Sequence, residues 1–126
     1  MTQHVDERFL RGLELFNERK FFECHEVIEE LWLETPVSAP HRDLYKGVIQ
    51  AAAAIYQFER GILSGALGLY KKAVDCLEKY KPFALGLDVE ALIQGMEECF
   101  KDLQNSKSTC KIILQKQTIP KVYFKK

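Results

Sequence analysis

His25, Glu26 and Glu29 are the residues of this chain whose types and spacing could do chemistry. They lie in Phe21-Phe22-Glu23-Cys24-His25-Glu26-Val27-Ile28-Glu29-Glu30-Leu31-Trp32, a stretch that also holds the only tryptophan. A histidine and a glutamate four residues apart share a helix face, so the carboxylate can orient the imidazole and stabilise its charged form, as in a general acid-base pair. The same two groups could share a divalent metal if other helices brought further ligands inward. The zinc-protease pattern H-E-x-x-H is incomplete, because Glu29 stands where the second histidine is needed. No E-x-x-H occurs, His4 and His41 have no partner at ligand spacing, and no nucleophile is evident beside His25. The sequence therefore assigns no catalytic residue, no metal ligand, no cofactor and no reaction.

The elements that must position these groups follow from apolar periodicity. Asp6 caps a first helix in which Phe9, Leu10, Leu13 and Phe16 make one apolar face, and Asn17-Glu18-Arg19-Lys20 is a connection short enough to force an antiparallel return. The second helix carries the opening stretch and ends near Glu34, before two prolines in Thr35-Pro36-Val37-Ser38-Ala39-Pro40. At about 100° per residue, Phe21, Cys24, Ile28, Leu31 and Trp32 share its buried face, with His25 and Glu29 at the border and turned inward. Glu23, Glu30 and Glu34 fall on the wet side and Glu26 on the flank. A third helix, about His41 to Arg60, has two apolar stripes around Gly47 and an alanine run, so it is the central helix. Gln50 on it would be a crowded amide that needs partners, and His25 and Glu29 are the expected ones.

A fourth helix starts near Ser64 and stops at Pro82 and the Gly86 turn, and a fifth, capped by Asp88, runs from Val89 to about Gln104. From Ser106 onward there are six lysines and no acidic residue among apolar clusters, the pattern of an extended tail whose apolar side chains pack back while its lysines stay in water. The expected fold is all-α: one bundle of about five antiparallel helices over residues 1–105, followed by an extended basic tail over 106–126.

Composition narrows the function classes. Eighteen Lys and Arg balance eighteen Asp and Glu, so no global field steers nucleic acid or an anionic membrane, and neither is an expected partner. Cys24, Cys76, Cys99 and Cys110 form no C-x-x-C pair, and the first three sit among apolar helical positions as small hydrophobes in a reducing compartment. With no signal-peptide core and no apolar run near ~20 residues, the expected location is cytoplasmic.

Two readings of the central stretch follow. In the first, His25, Glu26, Glu29, Trp32 and Gln50 build a pocket for a small polar ligand or a metal. In the second, the same groups form a satisfied structural network inside a helical protein-interaction or homo-oligomerisation module. The run Leu15-Phe16-Asn17, then Phe22-x-x-His25-Glu26-x-x-Glu29-x-x-Trp32, then Gly47-x-Ile49-Gln50-x-Ala52-Ala53, then Gly65-Ala66 with Lys72-Ala73, resembles domain-of-unknown-function family 309 over roughly residues 8 to 82. That resemblance implies an all-α bundle of antiparallel helices and no established activity, and it marks His25, Glu26, Glu29, Trp32 and Gln50 as shared positions. Gly65-Ala66-Leu67-Gly68-Leu69-Tyr70-Lys71-Lys72-Ala73 is also similar to a tetratricopeptide-type phrase, without a second copy, which is compatible with a peptide-binding or assembly role.

Overall fold

The computed structural model describes residues 5–106 and 112–125. Five α-helices carry the fold: α1 Glu7–Asn17, α2 Phe21–Glu34, α3 Arg42–Glu59, α4 Leu63–Glu78 and α5 Val89–Asn105. The all-α class read from the sequence holds, and the helix limits lie within a residue or so of those expected except at the end of α4, which stops at Glu78, four residues before Pro82. Asp6 caps α1 through its carboxylate, which accepts from Arg8 N at 2.8 Å, and Asp88 caps α5 by accepting from Ala91 N at 2.9 Å. Each satisfies a donor that the first helical turn would otherwise leave unpaired.

Helix α3 is the central element, packed by α2 on one side and α4 on the other. Leu44, Val48, Ala51 and Ile55 are fully buried along it, and Ala52 and Ala54 keep its girth small. A Cβ added at Gly47 would lie 2.7 Å from Leu77 Cδ2, so α4 crosses α3 at a distance that only glycine permits. Helix α1 closes the far side of α2, where Phe16 and Phe21 meet edge to face at 5.1 Å.

A short hairpin between α4 and α5 was not expected. Strand β1, Phe83–Ala84, pairs antiparallel with β2, Leu87–Asp88, around Leu85 and Gly86, both at positive φ. Two-residue hairpin turns of this hand match the twist of their strands, and glycine supplies one such position without strain. The strands are too short to leave a periodic signal in the sequence.

The C-terminal stretch runs back over this hairpin and α1. Asn17 Nδ2 donates to Val122 O and Asn17 Oδ1 accepts from Val122 N, both at 2.8 Å. Asp88 N donates to Tyr123 O at 2.9 Å and Lys125 N to Gly86 O at 2.7 Å, while Ile119 and Val122 are buried. The segment is extended apart from a 3₁₀ turn at Lys116–Thr118.

Candidate functional site

Helix α2 begins without a side-chain cap and turns Phe21, Cys24, Ile28 and Leu31 into the core. That choice of inner face fixes everything else on the helix, because each residue adds about 100° of rotation. His25 is displaced from the inner direction by roughly a quarter turn, and Glu26 by about half a turn. The consequence is a correction to the inward-facing pair read from the sequence. His25 and Glu29 retain 30% and 44% of their side-chain exposure, and Glu26 is exposed.

The pair itself forms. His25 Nε2 lies 3.2 Å from Glu29 Oε2 across one helical turn, within reach of a hydrogen bond in either protonation state of the ring. Next to it, the Phe22 ring stands 6.1 Å from the imidazole and 5.6 Å from the Tyr56 ring of α3. Phe22, His25 and Tyr56, with Phe21, Ala53 and Gln57, line a shallow cleft of about 150 Å³ between α2 and α3, and Glu29 lies beyond its lining. Arg60 closes the outer end of Tyr56, donating from Nη1 to the phenol oxygen at 3.3 Å.

Gln50 and Trp32 are elsewhere. Gln50 lies toward α4, where its Oε1 accepts from Cys76 Sγ at 3.4 Å, and no hydrogen bond joins it to His25 or Glu29 among the described residues. Register and direction both contribute: the α3 residues that line the cleft with His25 are Ala53, Tyr56 and Gln57, about one to two turns beyond Gln50, whose amide is turned to α4. Trp32 is half-buried at the other end of α2, with the Arg42 guanidinium 4.3 Å from the centre of its ring. Its indole Nε1 is buried without an acceptor, so the satisfied network linking His25, Glu29, Gln50 and Trp32 does not exist among the described residues.

Sequence reasoning missed three members of the cleft. Phe22 enters the sequence reading only through the family-like pattern, yet it is 45% exposed and lines the cleft. Tyr56 and Gln57 of α3 also line it, and the Gln57 Oε1 is buried with no partner among the described residues. The one available signal was that Phe22, Glu26, Glu29 and Leu33 recur at helical spacing on the side opposite Cys24 and Ile28.

The acidic side chains of α2 are unevenly answered. Arg8 of α1 reaches Glu34 at 2.8 Å and Glu30 at 3.3 Å through Nη1. Glu23 and Glu26 have no ion pair among the described residues, and Glu29 has only His25. No group of three or more His, Cys, Asp or Glu comes together as a metal site among the described residues.

Larger hollows lie away from this stretch. One of about 410 Å³ runs between α1 and the C-terminal segment, lined by Leu10, Leu13, Glu14, Asn17, Val122 and Phe124. Its amide, Asn17, is already spent on the Val122 backbone. Another, of about 360 Å³, lies beside the hairpin at His41, Lys79 and Lys81, but Lys79 is held by Asp43 at 2.6 Å and Lys81 by Glu78 at 3.2 Å. Asn17, Lys79 and Lys81 are thus already committed to partners within the chain.

Comparison with known proteins gives a family and no activity. Residues 9–69 match the model of a family described as "Domain of unknown function (DUF309)", which bears out the resemblance noted from the sequence. The "Uncharacterized protein YpuF" of Bacillus subtilis (strain 168) is 33% identical over 98 residues, covering 76% of this chain and 56% of that protein. The chain thus spans little more than half the length of the curated relative it matches. No solved structure matches the chain.

Proposed function

We propose, with residues 9–69 taken as a domain of that family, that the chain is a helical binding module whose contact face is the outer side of α2 together with the α2–α3 cleft. One observation carries this reading: the exposed Phe22 beside a cleft of about 150 Å³. Pockets that enclose a metabolite or drug-sized ligand run to ~300–1,000 Å³, so this one suits a single side chain of a partner better than a whole small molecule. The half-exposed His25–Glu29 pair would then be a polar contact at the rim of the cleft, with no reaction assigned to it.

The reading that His25, Glu26 and Glu29 hold a small polar ligand shares the same cleft but loses Gln50 and Trp32 as walls. Metal binding would need ligands beyond the His25–Glu29 pair, and α3 offers only Tyr56 and Gln57 at that level. A cytoplasmic location suits the free thiols of Cys24, Cys76 and Cys99.

A photo-crosslinking amino acid placed at position 22, in the cells that express the chain, tests the module directly. Adducts to one or a few proteins from position 22, and none from the exposed position 71 of α4, are the expected result. Equal labelling from both positions, or none from position 22, would overturn it.

A further inference from the structure

Resting on that reading, the geometry points to the kind of partner: we infer that the outer face of α2 docks a basic amphipathic helix, with two apolar anchors and lysine or arginine between them. Phe22 and Leu33 are 45% and 67% exposed on the same side of α2. They stand three turns apart, about 16 Å along the axis, a span that an antiparallel helix can match with anchors at i and i+11. Between them that side presents Glu26 and Glu29 and no apolar residue.

Charge decides the occupant. Helix α2 contains five glutamates and no lysine or arginine, in a chain whose formal net charge is zero. Two of the five, Glu30 and Glu34, already receive a basic side chain from within the chain, since Arg8 lies across both. A second guanidinium, Arg42, stacks on Trp32 at the same end. The N-terminal half has no such cover: Glu23 and Glu26 are without ion pairs among the described residues, and Glu29 has only His25. Arg60, the residue that follows α3, is turned to the Tyr56 hydroxyl. A lysine or arginine from a partner could lay its aliphatic stem on Phe22 and Tyr56 while its head reaches Glu26 or Glu29. An acidic or neutral partner would leave those carboxylates facing its own charge or desolvated without compensation.

The test uses the full chain and two synthetic helical peptides labelled with fluorescein. Both carry leucines at i and i+11; one has lysines on the intervening contact positions and the other has glutamines there. In fluorescence anisotropy the lysine peptide should bind about tenfold more tightly than the glutamine peptide, and added salt should shrink that gap. The Glu26→Gln/Glu29→Gln variant should weaken the lysine peptide about fivefold or more and leave the glutamine peptide unchanged. The Phe22→Ser/Leu33→Ser variant should weaken both, and far-ultraviolet circular dichroism will show whether each variant is folded. Equal affinity for the two peptides would overturn the basic partner while leaving the module reading standing. Binding of neither peptide would also overturn it, and the crosslink from position 22 would then judge the module reading by itself.

Discussion

Gln57 and Trp32 each bury one polar atom without a partner, Oε1 in the first and Nε1 in the second. A buried polar atom left unpaired costs ~1–3 kcal/mol, and an apolar replacement of the same shape removes that cost. Gln57→Met is therefore expected to be neutral or stabilising by up to ~1 kcal/mol in urea unfolding. A clear loss of stability would show that the amide has a partner the geometry does not reveal. The cysteines make a second prediction at this scale. Burial pushes the Cys24 thiol up to about 12 and the Cys99 thiol up to about 11, so both stay protonated at neutral pH. Since the thiolate is the reactive form, neither should react with a thiol reagent until the chain unfolds. Rapid labelling of Cys24 in the native protein would contradict its place in the core. The buried reading of Cys24 and Cys99 was available from periodicity alone, because both sit on apolar faces. The partners of Gln50 and Trp32 were not, since a helical pattern gives a side chain's direction but not which residues of the next helix stand level with it.

Helices and their limits were the legible part of the fold, for reasons tied to particular residues. Asp6 and Asp88 cap, Pro36 follows the C-cap of α2, and Gly61 at positive φ follows that of α3. The hairpin at Phe83–Asp88 was invisible because its strands have two residues each, and its pairing with Phe124 joins distant parts of the chain. Asn17 stands in the sequence as part of a polar connection and of a family-like run, yet both ends of its amide bind the Val122 backbone. Asn17→Ala should cost ~1–3 kcal/mol and speed hydrogen exchange at the Val122 amide well beyond the change in global stability. An unchanged exchange rate would mean that the hairpin alone holds the segment. The α3–α4 crossing gives a further expectation. Gly47→Ala improves helix propensity, but its Cβ would lie 2.7 Å from Leu77 and 3.2 Å from the Cys76 Cβ. Overpacking of this kind costs ~1–3 kcal/mol, enough to outweigh the propensity gain of ~1 kcal/mol, so a net loss in thermal unfolding is expected.

At the scale of the whole molecule, a balanced net charge hides an uneven surface. The glutamates of α2 are met by Arg8 at one end and left open at the other, where Phe22, His25 and Tyr56 form the cleft. The sequence turned His25 and Glu29 inward, and the structure leaves both partly exposed. Amphipathicity assigned the core face correctly, but a border position can turn either way, and only the packing of α1 and α3 on α2 settled that His25 and Glu29 face outward. The central claim is that this pair belongs to a contact surface and contributes little to holding the fold. Denaturant unfolding of the His25→Ala/Glu29→Gln variant tests it most directly. Partly exposed pairs spaced i,i+4 contribute ~0.3–0.5 kcal/mol, so the variant should unfold within about 0.5 kcal/mol of the parent chain. A loss of ~2 kcal/mol or more would place the pair in the structural framework and contradict the claim.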